Sequence, residues 1–358
     1  MEPDDAGPPL SHLSEPGGGT PRRSRAIRIA ALVLGAAIMA ALAVVGLTQV
    51  DLDSARMALT GADGELLAAS VALYAVGQTI SGGMWSVCQG AGGVRPIPLT
   101  TSLGMHWAAR AACELLPASL GEAARVALVS RHPAGQRAGA WRIAGGLAGY
   151  KAIDAAVTGA AVLTMAMIVP LPGPAGGLRW TALGAVVAVG AAALGWRLGA
   201  ARHLQRLVPR RGRQAAHRLA EGAAVLSSPG AARTAAVLGV LAVVARVLSL
   251  AALLAALGAP PQAAALAFCV IVLAGIVPAA PGGAGTRELV LIPALTMAYG
   301  LPADQALAFS VAVQGTALAV SLTGGALAIA WLASGPLLRQ APDPVLETPS
   351  TAPEGTLP

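Results

Sequence analysis

Residues 261–298 read PQAAALAFCVIVLAGIVPAAPGGAGTRELVLIPALTMA. Prolines and glycines between Pro278 and Gly285 interrupt this apolar stretch, which resumes directly after Arg287 and Glu288. Proline removes a backbone donor and breaks a helix, and glycine lets the chain turn. The stretch therefore predicts a membrane-embedded helical hairpin whose break lies next to two charged side chains.

The composition of the whole chain agrees with a membrane location. The 358 residues are 55% hydrophobic and 11% charged, and the mean hydropathy is +0.67. Because soluble domains carry about 25% charged residues, a water-soluble globular protein is excluded, as are a disordered chain and a coiled coil. The 24 basic and 17 acidic residues leave a net charge of +7. Because cytoplasmic loops of membrane proteins are rich in Lys and Arg, this excess indicates a polyanionic partner only if topology does not account for it.

A second broken stretch, Leu99–Ser130, lies in the first half of the chain and is interrupted near Pro117. Its residues 115–125 read LLPASLGEAAR, and residues 278–288 read PAAPGGAGTRE. Each break has a proline, a glycine four residues later, then a carboxylate with an arginine close by. A helix that starts at such a break points its free N–H groups and positive dipole end into the membrane, which suits a phosphate or carboxylate.

The positions of the arginines predict the topology, since cytoplasmic loops are rich in Lys and Arg. Of the 24 basic residues, 17 fall in predicted cytoplasmic segments, two outside and five within apolar segments. The predicted fold is all-α: a multi-pass plasma-membrane protein with about six spanning helices, two re-entrant broken-helix hairpins and cytoplasmic termini. The spans lie near residues 29–50, 66–94, 142–169, 180–198, 234–257 and 304–332.

Two halves, residues 25–172 and 178–335, repeat the order span, span, hairpin, span in opposite orientation. This is the layout of an inverted-topology repeat, which is common in transporters. The flanking residues 1–24 and 336–358 are rich in Pro and polar residues and are predicted to be disordered cytoplasmic tails.

The basic cytoplasmic loop, residues 200–232, has two interpretations. It is a topology signal, or it lies on the inner leaflet and attracts anionic lipid head groups. Pro209 and Gly212 are expected to interrupt any long amphipathic helix here. No aromatic residues or nucleic-acid motif accompany the charge, so nucleic acid is not a predicted partner.

The charged residues within apolar segments are expensive in lipid and mark candidate functional positions. Arg246 has no local partner, so a carboxylate from another helix is expected to pair with it. His106 is interpreted as an interior or interfacial hydrogen-bonding residue rather than as a ligand. Three helical pairs are allowed by their i, i+3 or i, i+4 spacing: Arg110–Glu114, Glu122–Arg125 and Lys151–Asp154.

Cys88, Cys113 and Cys269 are far apart and lie in apolar segments, which predicts buried hydrophobic side chains. With no histidine cluster nearby, neither a disulfide framework, a metal site nor any other cofactor is indicated. The GxxxxGK[ST] nucleotide-binding motif does not occur in the chain, so transport would draw on a gradient or on lipid consumption.

At its two broken hairpins the chain resembles the lysylphosphatidylglycerol synthase transmembrane-region family, also called flippase-like integral membrane proteins. The resemblance covers roughly residues 25–335. The family's first motif, Pro followed by Gly-Glu and then Arg, is matched by Pro117, Gly121, Glu122 and Arg125. Its second, Pro-Gly-Gly-x-Gly-x-x-Glu, is matched by Pro281, Gly282, Gly283, Gly285 and Glu288. An Arg-x-x-Asp pattern on the following helix corresponds to Lys151 and Asp154.

The chain departs from the family pattern at three places. Cys113 and Glu114 stand where the family often has Asn, before the first motif's proline. Gln314 stands where an Arg is frequent in the last helix, and Lys151 replaces an Arg. These differences bear on the ligand more than on the fold.

The resemblance implies that the chain binds or moves a membrane lipid with a charged head group. The lipids implied are anionic or aminoacylated phospholipids and polyprenyl-phosphate glycolipids. The implied head-group site consists of the motif residues with Lys151, Asp154 and Arg287: Arg125 and Arg287 contact the head group, and Glu122 and Glu288 orient them or meet a cationic group.

Two other classes of function remain open. The first is a non-transporting lipid-binding scaffold or regulator of a cell-envelope enzyme. The second is an intramembrane enzyme using Glu122 and Glu288, which lacks a supporting His, Ser or metal constellation. In the family's synthases, aminoacyl transfer belongs to a separate C-terminal soluble domain. Only a short polar tail follows Leu338, so this chain is expected not to be an enzyme. Protein partners considered are a second copy of the chain and an envelope-synthesis enzyme.

Overall fold

The computed structural model describes residues 57–115, 118–168, 210–275 and 286–334. Within these ranges the regular structure is helical, without strands. The predicted spans near residues 29–50 and 180–198 and both predicted tails lie outside the described residues. The α-helices in the described ranges are α1 (Gly64–Ala91), α2 (Leu99–Leu115), α3 (Ala118–Arg131), α4 (Pro133–Ala138), α5 (Ala140–Ile168), α6 (Arg210–Gly222), α7 (Pro229–Ala256), α8 (Ala264–Ala274), α9 (Thr286–Tyr299) and α10 (Ala303–Ala333).

Four of these helices, α1, α5, α7 and α10, are long and apolar enough to cross a membrane. They have 28 to 31 residues each, and an apolar helix of about 20 residues already spans the hydrocarbon core. Large apolar side chains such as Val76, Val240 and Leu327 are exposed on them, as a lipid-facing surface requires. The prediction of an all-helical polytopic membrane protein is confirmed, and these helices coincide with four of the six predicted spans.

Shorter helices occupy the two stretches predicted to be hairpins. In the first, α2 ends at Leu115 and α3 begins at Ala118, at the predicted break; Pro117 itself lies outside the described residues. In the second, α8 ends at Ala274 and α9 begins at Thr286, with the predicted Pro-Gly break again outside the described ranges. Neither α2 nor α3, nor α8 nor α9, is long enough to be a candidate span.

Helices α1 and α7 pack antiparallel along each other and form the centre of the described bundle. Near one end, the Ser70 hydroxyl donates to the Ser249 carbonyl at 2.9 Å, and the Ser249 hydroxyl donates to the Ser70 carbonyl at 2.9 Å. Toward the other end, Gly239 lies against Met84. These reciprocal bonds satisfy both hydroxyl donors without water, as a membrane interior requires.

Two larger apolar cores lie beside this pair, and each includes residues from both halves, such as Leu332 in the first and Val162 in the second. The first core joins α1, α2 and α5 through Trp85, Met105 and Ile143. The second core joins α7, α8, α9 and α10 through Leu253, Phe268, Leu291 and Phe309. Among the described residues, the two larger cores both adjoin the α1–α7 contact, and a smaller cluster forms around Leu307 and Ala308.

The two halves correspond element by element. Gly64 and Pro229, which begin the 28-residue helices α1 and α7, are 165 residues apart, as are Leu99 and Ala264, which begin α2 and α8. The contacts correspond too: α2 packs on the last helix of the second half, α10, and α8 packs on the last helix of the first half, α5. An inverted repeat would show this constant spacing, an antiparallel central pair, and a hairpin helix of each half packed on the last helix of the other half. The orientation of the two halves across a bilayer stays a prediction.

Part of the basic loop is helical. Helix α6 begins directly after Pro209 and continues through Gly212, so Gly212 does not interrupt it. Gly222 makes a close approach to α5 possible, because a Cβ there would fall within 2.0 Å of the Arg142 carbonyl oxygen. An ion pair between Arg142 and Glu221 holds the same contact, and His217 Nδ1 lies 3.2 Å from the other Glu221 oxygen.

The Arg142–Glu221 pair predicts a pH-dependent stability. The hydrogen bond from Arg142, above all, lowers the pKa of the Glu221 carboxyl below its usual value near 4.5. A depressed carboxyl pKa stabilises the fold above the unfolded pKa, and this contribution disappears as the pH falls through the folded pKa. In detergent, Glu221→Gln is expected to unfold more easily than wild type by at most about 1 kcal/mol at pH 5.5. The difference should shrink as the pH falls below the unfolded pKa of about 4.3, and it should vanish once the carboxyl is protonated in the folded protein as well. A difference that persists unchanged at pH 3.5 would contradict this explanation.

Candidate functional site

Gly121 of the first motif sets how closely the two helices of the hairpin approach. A Cβ at Gly121 would fall 2.4 Å from Sγ and 2.6 Å from Cα of Cys113. Only glycine fits there, because the second contact is with backbone that cannot turn away. The contact presses α3 against α2 and sets the depth of Glu122 and Arg125, which follow on α3.

The Glu122 carboxylate is shared between two basic side chains. Its Oε1 lies 2.5 Å from Nζ of Lys151, and its Oε2 lies 3.4 Å from Nε of Arg125. The predicted Glu122–Arg125 pair is confirmed. The Lys151 ammonium is half-exposed, whereas the Arg125 side chain is 4% exposed, so the centre extends from an accessible cation to a buried one.

The pair that i, i+3 spacing allows between Lys151 and Asp154 does not form. Lys151 reaches across to Glu122 on the packed helix α3 instead. Spacing of i, i+3 permits a pair but does not compel one, and a lysine has a long, flexible stem that can reach a carboxylate on a neighbouring helix. Asp154 remains in the same region, since its charge acts on Tyr150.

Two aromatic rings enclose the buried guanidinium. Arg125 Cζ lies 5.6 Å from the centroid of the Trp85 ring and 5.5 Å from that of Tyr150. Lys151 Nζ is 5.7 Å from the same Tyr150 centroid. Cation–π contacts of this kind gain strength where water is excluded. Neither Trp85 nor Tyr150 was predicted as part of the site. Aromatic residues make up only 3% of the chain, and this scarcity is the one feature of the sequence that could have drawn attention to them.

Of the second motif, the structure describes Arg287 and Glu288; Pro281, Gly282, Gly283 and Gly285 lie outside the described residues. Arg287 Nη1 donates to Gln314 Oε1 at 2.8 Å, and Glu288 Oε1 accepts from the Ser310 hydroxyl at 3.2 Å. Both contacts fix α9 on α10. Gln314, which stands where the family often has Arg, is thus the partner of an arginine.

The Arg110–Glu114 pair lies between the two motifs. The predicted i, i+4 ion pair is present at 2.5 Å, and Arg110 also lies 3.5 Å from the Tyr74 hydroxyl. Arg287 of the second motif interacts electrostatically with Arg110, Glu114 and Tyr74. Cys113, one residue before Glu114, lies within the electrostatic range of Glu122 and Arg125. The charged residues of both motifs therefore lie within electrostatic range of the Arg110–Glu114 pair.

The expectation of a carboxylate partner for Arg246 is wrong for the part of the chain that the structure describes. Arg246 Nη2 donates to the Ser81 hydroxyl at 2.8 Å. Arg246 and Ser81 lie on the antiparallel helices α7 and α1, so a hydroxyl on the facing helix takes the place that a carboxylate was expected to fill. One positive charge thus lies on α7 without a carboxylate partner among the described residues.

These features define a polytopic membrane protein with a buried, charged site at a broken-helix hairpin. The family model for the lysylphosphatidylglycerol synthase transmembrane region matches residues 28–325. The chain belongs to this family. A search of curated proteins gave no match.

Gly121 provides a test of the hairpin geometry. Gly121→Ala is expected to destabilise the protein by about 1–3 kcal/mol, because the added methyl group overpacks the contact with Cys113. Thermal unfolding in detergent measures the change. Gly90→Ala is the matched control, since Gly90 also lies within a helix but has nothing within 4 Å of its Cβ position. If Gly121→Ala melted at the same temperature as Gly90→Ala, the close α2–α3 contact would be wrong.

Proposed function

We propose that the chain is a lipid translocase. It binds a phospholipid or a polyprenyl-phosphate-linked lipid by its charged head group and moves it across the plasma membrane. Family membership supports a membrane role related to lipids. The observation that carries the proposal is the buried Arg125, whose Nε and Nη1 have no hydrogen-bond acceptor among the described residues.

Energetics favours a functional role for this arginine. A charged side chain within the membrane costs at least about 2.5–3.5 kcal/mol, and a buried donor without a partner adds about 1–3 kcal/mol. Glu122, its ion-pair partner, is also engaged by Lys151. A lipid head group that brings an oxyanion to Arg125 would offset both costs.

Each charged residue has a distinct part in the proposed cycle. Lys151, half-exposed, meets the head group first, and Arg125 receives its phosphate more deeply. Glu122 orients both cations. Arg287 and Glu288 provide the corresponding contacts in the second half, where Gln314 and Ser310 hold them.

The exchange of hairpins between the halves supports alternating access. Helix α2 packs on α10 and α8 packs on α5, so a rocking motion of one half moves the hairpin of the other. Head-group contacts on the two hairpins would then open to opposite sides of the membrane in turn.

Reconstituted liposomes test this proposal. Fluorescent phosphatidylglycerol is placed in both leaflets, and an impermeant quencher reports how fast the inner pool reaches the outside. Wild-type protein is expected to accelerate this exchange, and Glu122→Gln and Glu288→Gln each to slow it by about tenfold or more, since one lost charged contact costs about 1.4 kcal/mol.

Glu65→Gln is the matched control, because Glu65 is an exposed carboxylate at the start of α1. It should leave the rate unchanged. Exchange at the wild-type rate in both site variants would contradict the translocase. Lipid binding without any exchange by wild type would instead favour the non-transporting scaffold.

A further inference from the structure

His106 on α2 lies beside the Arg125 site. It is 1% exposed, its ring centroid is 6.3 Å from that of Trp85, and neither ring nitrogen has a hydrogen-bond partner among the described residues. Buried polar atoms are nearly always hydrogen-bonded. A histidine with two unused nitrogens in a membrane protein therefore needs an explanation.

Four basic side chains lie within electrostatic range of this histidine, each on a different helix. Arg125, Arg110, Arg246 and Lys151, on α3, α2, α7 and α5, all act electrostatically on His106. Two carboxylates in the same region are already engaged, Glu114 by Arg110 and Glu122 by Lys151 and Arg125. With Asp154, whose charge acts on Tyr150 in the same region, four cations face three carboxylates, which leaves a net positive charge around His106.

Hydrogen-bonding capacity around His106 shows the same imbalance. Buried N–H groups without an acceptor in the described ranges outnumber buried acceptors without a donor. The acceptors are Gln89 Oε1, one nitrogen of the neutral His106 ring, and Glu122 Oε2, which lies 3.4 Å from Arg125 Nε. The donors are the other His106 nitrogen, Trp85 Nε1, Arg110 Nε, Arg125 Nε and Nη1, and Arg246 Nε. A group that brings several acceptors and no donors would satisfy this surplus, and a phosphate is such a group. An ammonium group would add donors and positive charge, and would make both imbalances worse.

We propose that the phosphate of the lipid head group binds beside His106, between Trp85 and Arg125, and that the site selects lipids by this phosphate rather than by a cationic amine. The inference rests on the proposed function and names the ligand class of the same site. His106 and Trp85 each donate a hydrogen bond to the phosphate from an uncharged N–H group, and the nearby cations supply the electrostatic attraction.

Binding to purified full-length protein in detergent tests the proposal, with three probes that share the same acyl chains. These are phosphatidylglycerol, which carries a phosphate; a trimethylammonium lipid, which is cationic and has no phosphate; and neutral diacylglycerol. Phosphatidylglycerol is expected to bind at least about tenfold more tightly than either of the others. Equal binding of the cationic lipid would overturn the proposal.

Two variants test the neutral donors. His106→Phe keeps a ring of similar size and removes both nitrogens, and should weaken phosphatidylglycerol binding about tenfold. His217→Phe is the matched control, since His217 is 65% exposed on α6, and should bind as wild type. Trp85→Phe removes one N–H and should weaken binding several-fold if His106→Phe fails to fold. Unchanged affinity in the folded variants would overturn the proposal.

Inorganic phosphate separates a lipid site from a site for the free ion. It is expected to compete with phosphatidylglycerol only weakly, because the acyl chains contribute to binding. Free phosphate that binds as tightly as the lipid would contradict the assignment to a head group. The two proposals also fail in different ways: phosphate-dependent binding without exchange in liposomes would refute the translocase alone, and exchange of the cationic lipid at the rate of phosphatidylglycerol would refute the phosphate selectivity alone.

Discussion

The Glu122 carboxylate, held between Lys151 and Arg125, is the interaction on which the rest of the site depends. It lies on a hairpin helix and reaches a cation on α5, so it ties the broken helix to a spanning helix. Without it, two positive charges would remain beside each other in an apolar bundle, where each is costly. With it, one carboxylate lies between the two cations and offsets one of the two positive charges.

The packing of the neighbouring helices determines where the Glu122 carboxylate lies. Gly121 lets α3 approach α2 until Cys113 is in contact, and Trp85 and Tyr150 close over Arg125 from α1 and α5. The antiparallel α1–α7 pair packs beside the site, and the Ser70 and Ser249 hydroxyls donate to each other's backbone carbonyls across the two helices. In the second half, Arg287 and Glu288 contact Gln314 and Ser310 on α10.

Local features of the fold and the site could be predicted from the sequence. Apolar length predicts the spans, prolines predict where the hairpin helices end, and i, i+3 or i, i+4 spacing predicts the Arg110–Glu114 and Glu122–Arg125 pairs, because each depends on residues close in the chain. The Lys151–Glu122 pair and the Arg246–Ser81 bond depend on how separate helices pack, which spacing along one helix does not contain. The aromatic enclosure of Arg125 escaped prediction for the same reason, since Trp85 and Tyr150 are distant from Arg125 in sequence.

The Glu122–Lys151 contact is the most direct point at which to test the account. A double-mutant cycle with Glu122→Gln, Lys151→Met and the double variant, followed by reversible unfolding in mixed detergent micelles, measures the coupling between the two side chains. Residues in one ion-pair network couple by about 0.5–3 kcal/mol, and a value near the lower end is expected here because Lys151 is half-exposed. Effects that add to within about 0.3 kcal/mol would mean that the two side chains act independently, and the shared carboxylate would no longer explain the site.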